Sequence, residues 1–226
     1  MRFSTKGFLK GFRAGLPIAI GVASYGLVFG ILSREAGLDL WSSLSMSLFV
    51  FAGASQFVAL DMWITPLPIF AIIMTTFVVN MRHILMGAVL VDTFKGLSPS
   101  QKYVSLFFMV DESWAYSLNE WQQGDKNAAL LAGTGFSLFL AWSLSTFIGN
   151  MMGTGTVDPA KWGIDFSFTA IFICIATGLW RSRQDLLPWS VAAGTAVIVS
   201  IYFPGKWYIL AGGITGSITG VLMHDR

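Results

Sequence analysis

The chain has 226 residues, 54% of them hydrophobic and only 12% charged, with a net charge of +2 and a mean hydropathy of +0.67. That balance excludes disorder, and it leaves too little polar surface for a soluble domain of this size. It also excludes nucleic acid as a partner, since no basic patch stands out. A single cysteine, Cys174, excludes a disulfide framework, and the two histidines, His83 and His224, are too far apart in sequence to read as a zinc site. No metal, cofactor or catalytic set is expected.

An all-α, polytopic membrane bundle follows, read as one transmembrane domain over residues 1–226 with about seven or eight crossings, some of them broken. A bilayer core of about 30 Å takes about 20 helical residues. The apolar runs fall at 13–33, 41–61, 67–91, 102–120, 128–150, 164–180, 187–203 and 206–223. Turn formers separate them, as at Thr65-Pro66-Leu67-Pro68 and Gly96-Leu97-Ser98-Pro99. The first run keeps Arg13 and Pro17 and has no small-residue cleavage site, so it does not read as a signal peptide. Pro17, with the glycines after it, predicts a bent or broken helix. With eight spans, Arg2, Lys6, Lys10, Arg13, Lys126, Arg181, Arg183 and Arg226 share one side. Arg34, Lys95, Lys102, Lys161 and Lys206 share the other, so both termini are expected in the cytoplasm.

Small residues recur every four positions at Gly11/Gly15, Gly26/Gly30, Gly149/Gly153 and Gly212/Gly216/Gly220. That spacing lets helix backbones approach. It serves packing within the chain or a face for a second membrane protein, and the last ladder is the best candidate for the latter. Trp41, Trp121, Trp162, Trp180 and Trp207 sit near span ends, as interfacial anchors do.

Three places break the apolar pattern. In the second run Phe51-Ala52-Gly53-Ala54-Ser55-Gln56-Phe57 puts small residues and an amide near mid-membrane, where Gln56 needs a partner or water. In the third, Asn80, Arg82 and His83 fall near the centre. At 100° per residue Asn80 and His83 share a face while Arg82 points nearly opposite. That helix is therefore enclosed on most sides or interrupted. In the fourth, Asp111-Glu112-Ser113 adds two acids at depth, where a central charge costs roughly 3 kcal/mol. Arg82 is the natural counter-ion for Asp111 or Glu112. One arginine does not neutralise two carboxylates, so a proton on the Asp111/Glu112/His83 group is expected. Asp165 reads as a helix-start residue.

Gly15-Leu16-Pro17 with Tyr25-Gly26, FAGASQF at 51–57, NMRHILM at 80–86, Asp111-Glu112-Ser113, and Gly163-Ile164-Asp165-Phe166 occur in an order and spacing that resembles the AzlC family, over about residues 7–223. The family resembled includes the bacterial YgaZ proteins. The resemblance implies export of branched-chain amino acids (leucine, isoleucine, valine and analogues) across the bacterial inner membrane. It also implies a small membrane partner of the AzlD type. The polar residues suit a zwitterion. Ser55, Gln56, Asn80 and Arg82 are the expected substrate-binding residues, and His83, Asp111 and Glu112 the expected proton or charge relay. Two other classes stay open. One is a channel or facilitator for another small polar solute, which coupling to a proton gradient would separate from a transporter. The other is an intramembrane enzyme built on His83, Ser113 and the acids, against which stands the lack of any other catalytic signature.

Overall fold

The computed structural model describes residues 2–125, 127–153, 173, 177, 180, 182–203 and 207–224. Every regular element among them is helical. The expected sixth span, including Asp165 and Cys174, lies outside the described residues apart from Ile173, Thr177 and Trp180. Two compact units emerge, Met1–Gln56 with Asn80–Asp165, and Phe57–Val79 with Phe166–Arg226.

The frame of the first unit is α1 (Thr5–Glu35) and α7 (Ala129–Met152). Ser4 caps α1 by accepting a hydrogen bond from the Gly7 N–H at 3.2 Å. The helix runs unbroken through Pro17, so the expected interruption there does not occur. Small residues explain the close pairing with α7. A Cβ on Gly11 would lie 2.3 Å from the Leu130 carbonyl oxygen, and one on Gly30 2.3 Å from that of Thr146. Contacts advance together along both chains, so α1 and α7 run parallel. We call the end where both begin the near end, and the other the far end.

Between them the expected second run is two helices, α2 (Leu40–Ser45) and α3 (Gly53–Asp61), separated by a π-turn at Met46–Val50 and a break at Phe51–Ala52. Asp39 caps α2 from the Ser42 N–H at 2.9 Å. At the far end, buried Asn150 donates to Ser43 Oγ at 2.9 Å and to Ser33 Oγ at 3.2 Å. From there α2 descends alongside α7.

The third run is one continuous helix, α4 (Ile69–Leu90). Its C-terminal half runs toward the near end, where Met86, Leu90, Phe94 and Leu97 join a buried cluster with Trp121, Ala128, Leu130 and Leu131. Trp121, expected as an interfacial anchor, is buried there and donates to the Asn127 carbonyl at 2.9 Å.

The fourth run is also two helices, α5 (Pro99–Phe107) and α6 (Asp111–Gln122). Ser98 and Gln101 form the capping box that starts α5. It rises from the near end. The chain breaks at 108–110, and α6 returns to the near end, where Lys10 pairs with Glu120 at 2.5 Å and Asp125 at 2.8 Å. Residues 99–122 thus form a re-entrant hairpin. Their length alone would fit a crossing; the break at 108–110 makes the return possible.

In the second unit α8 (Leu186–Tyr202) packs antiparallel on α9 (Trp207–His224). A Cβ on Gly216 would come within 2.8 Å of Ala192 Cβ, and one on Gly212 within 2.9 Å of the Ala192 carbonyl. The last glycine ladder, the favoured candidate for a partner face, is filled from within the chain. By length and composition Thr5–Glu35, Ile69–Leu90, Ala129–Met152 and Arg183–Tyr202 suffice to cross a membrane.

Candidate functional site

The two breaks meet. Phe51 takes φ +44°, a left-handed conformation that is an outlier for a bulky residue. Its ring lies 5.1 Å from that of Phe139 on α7 and 6.5 Å from that of Phe107 at the end of α5. Phe107 and Phe108 lie 5.9 and 5.5 Å from the same Phe139. Phe139 is close to the middle of α7. One broken segment therefore reaches it from the far end and the other from the near end.

A broken helix exposes backbone groups, and at membrane depth each needs an acceptor or donor from protein. At the first break the Ala52 N–H donates to Gln56 Oε1 at 3.2 Å. The Ala52 carbonyl accepts from the Gln56 N–H at 2.9 Å and from Ser55 Oγ at 2.9 Å. At the second, Ser113 Oγ donates to the Phe108 and Val110 carbonyls at 2.9 and 3.0 Å, and accepts from the Val110 N–H at 2.9 Å. Ser113 is thus spent on the backbone. A Cβ on Gly135 would lie 1.8 Å from the Phe108 carbonyl oxygen, so only glycine lets this tip rest on α7.

Helix α4 joins the breaks. Asn80 Nδ2 donates to Ser55 Oγ at 3.1 Å, on the α3 side. Arg82 Nη1 meets Asp111 Oδ2 at 2.6 Å, on the α6 side. One turn along, Trp114 Nε1 donates to the Met86 carbonyl at 3.3 Å. Of the two options for Asn80 and Arg82, an enclosed helix or an interrupted one, the interruption does not occur: α4 is continuous, with α3 beside Asn80 and α6 beside Arg82, while Met81, Ile84, Leu85 and Val89 stay exposed. Asp111 begins α6 and faces Arg82 from its first turn. On α4 two side-chain atoms are buried without a hydrogen-bond partner, Asn80 Oδ1 and Arg82 Nε.

Ser55, Gln56 and Asn80 therefore form one set, and Arg82 with Asp111 a second, joined by α4. His83 turns back on its own helix, with Nδ1 3.2 Å from the Asn80 carbonyl oxygen. Glu112 is exposed beside Asp111. Among the described residues no cluster of His, Cys, Asp and Glu fits a metal ion. Sequence reasoning missed Ser47, Trp142 and Thr146, which back the first break. Ser43 and Ser47 are four residues apart, and so are Thr146 and Asn150. Such polar pairs put two polar groups on one buried face, and that signal was available.

The family described as AzlC protein matches residues 17–155. Over 217 residues the chain is 28% identical to the branched-chain amino acid transport protein AzlC of Bacillus subtilis, covering 95% of this chain and 84% of that one. Over 221 residues it is 25% identical to the inner membrane protein YgaZ of Escherichia coli, covering 95% and 90%. A membrane protein of Archaeoglobus fulgidus is 28% identical over 179 residues, 78% of each chain. No solved structure matches.

Proposed function

Because the chain belongs to the AzlC family of membrane transport proteins, we propose that it exports branched-chain amino acids across the bacterial inner membrane in exchange for protons. The observation that carries this reading is the pair of partnerless buried atoms on α4, the donor Arg82 Nε and the acceptor Asn80 Oδ1, beside two broken helices. A zwitterion needs both kinds of group. Arg82 and the first-turn amides of α3, which a helix leaves without internal acceptors, suit its carboxylate. Asn80 Oδ1 with Asp111 and Glu112 suits its ammonium. The phenylalanines around Phe139 supply an apolar wall for the side chain.

Coupling follows from charge. One arginine faces two carboxylates, so in the empty site a proton carried by Asp111, Glu112 or His83 balances the group. The substrate ammonium takes that proton's place and releases it. The near end reads as cytoplasmic. With 99–122 doubling back, Lys95 and Lys102 join Arg2, Lys6, Lys10 and Arg13 at that end, and Arg34 lies at the other. A small AzlD-type protein is the partner we assign to it.

The test is movement of labelled leucine, valine and isoleucine in proteoliposomes, with and without the partner and a pH gradient. Concentrative movement that collapses with the gradient is expected. Mere equilibration marks a facilitator, and no movement under any arm overturns the reading. Glu112→Gln or Asp111→Asn should abolish uphill movement in a folded protein; if both variants concentrate substrate normally, proton exchange at these carboxylates is wrong.

A further inference from the structure

Gln56 sits on the first break with both ends of its amide used. It is buried to 1% exposure. Its Oε1 accepts from the Ala52 N–H, and its Nε2 donates to Ser47 Oγ at 3.3 Å, on the opposite side of the break. The reverse placement of the amide would set its NH₂ against the Ala52 N–H, two donors facing each other, so the orientation is fixed by the network. Ser47 is also fully accounted for. Trp142 Nε1, which only donates, reaches Ser47 Oγ at 3.1 Å. With both lone pairs taken by Trp142 and Gln56, the Ser47 hydroxyl proton is left for Thr146 Oγ1 at 3.0 Å. The direction of every bond in the set follows: Trp142 and Gln56 give to Ser47, and Ser47 gives to Thr146. The indole of Trp142 is in turn stacked on Phe29 at 5.7 Å, and a Cβ on Gly53 would lie 3.0 Å from it.

We propose that Gln56 is a positioning residue, a clasp across the Phe51–Ala52 break that sets the place of the first turn of α3, and with it Ser55 and Asn80, without itself touching the substrate. Each end of the amide makes one hydrogen bond, and at 1% exposure its second N–H and second lone pair are not open to a ligand unless the clasp gives way. The inference rests on the reading of this site as the substrate site, and its test is chosen to fail separately.

The full chain is reconstituted in proteoliposomes, and leucine transport is measured for Gln56→Met, which keeps the volume, Ser47→Ala, and the double variant. Each single change should raise KM about tenfold with Vmax changed by less than about twofold, and the double variant should be no worse than either single one. A KM raised by Gln56→Met but untouched by Ser47→Ala, or effects that add, overturns the clasp and makes Gln56 a direct ligand. A second readout needs no transport. With Cys174→Ser and Ala54→Cys as the background, the rate of reaction with a membrane-permeant maleimide should rise about tenfold in either single variant, as the first turn of α3 loosens. Unchanged rates overturn the clasp. If the rates rise while the unaltered protein moves no leucine, the functional reading fails and the clasp stands. Should Gln56→Met not accumulate, Ser47→Ala reads the same clasp from its other end.

Discussion

The α1–α7 pair and the two broken segments answer one demand in opposite ways. Deep in a membrane no backbone N–H or carbonyl is left to water. In α1 and α7 the backbone is satisfied along the helix, apart from the one donor that Pro17 lacks, and small residues bring the two backbones together. At Phe51–Ala52 and at 108–110 the ladder stops, and side chains take over: Gln56, Ser55 and Ser113. The first arrangement fixes position. The second leaves helix starts and the Arg82–Asp111 pair among the helices, at a cost that only preformed side-chain partners offset. Scaffold and site are thus distinguished less by hydrophobicity than by who satisfies the backbone.

That contrast is open to attack from both sides. Gly30→Leu should have the largest effect, because its Cβ would meet the Thr146 carbonyl oxygen at 2.3 Å and backbone does not yield. Overpacking typically costs about 1–3 kcal/mol, and against backbone the upper end or beyond is expected. The protein should fail to give a monodisperse peak on size exclusion, while Gly21→Leu, with nothing within 4 Å, should behave normally. Next comes the site. Arg82→Ala should leave a folded protein whose leucine transport rate falls about tenfold or more, because the Asp111 carboxylate loses its partner at depth. The Arg82→Ala/Asp111→Ala double variant should lose less than the two single losses combined; strict additivity would mean that the pair does not work as a unit.

Gly216→Leu should lower the thermal midpoint less than Gly30→Leu, since the nearest obstacle is the Ala192 methyl rather than backbone. A change in Gly216→Leu that matches Gly30→Leu would erase the distinction between the two glycine interfaces. The smallest effect belongs to Asp39, where hydrogen bonds from the Ser42 hydroxyl and N–H hold the carboxyl below the usual carboxylate range. A lowered value in the folded state means stabilisation that is complete above the ordinary range and is lost as pH falls through the lowered value. Asp39→Ala should therefore narrow the difference in thermal midpoint between neutral and acidic pH, measured by light scattering.

The limits of the third, fifth, seventh and eighth apolar runs and the glycine spacings were legible because they depend on local pattern. The α1 and α7 glycines lie on one face in any helix, whatever surrounds them. The break at Phe51 was not legible as a place. Phenylalanine is a poor candidate for a left-handed residue, and the rings it packs against, Phe107 and Phe139, lie far along the chain. Pro17 predicts a bent or broken helix, and of these the break does not occur: it lies inside the continuous α1, beside α7. Asp111-Glu112-Ser113 looked like charge in mid-helix. The same three residues are also a typical helix start, and that reading places the second break beside them. The return of α5–α6 to its own end was hidden because its residues have the length of a crossing. Arg82 opposite Asp111 was readable from cost alone, since each needs a counter-charge.

The partners of the first break have a consequence for how the chain is made. Ser47 waits for Trp142 and Thr146, which follow it by 95 and 99 residues, and Ser33 waits for Asn150, 117 residues later. On a ribosome adding about 5–20 residues per second, several seconds pass between the two. During that time α1 has no parallel neighbour, and the polar ends at Phe51–Ala52 and 108–110 have no wall to lean on. Neither broken segment has its partners on α7 until α7 emerges. Synthesis order therefore makes α7 the closing event for everything before it, and a chain stopped short of Ala129 has the pieces of the site with nothing to assemble them against.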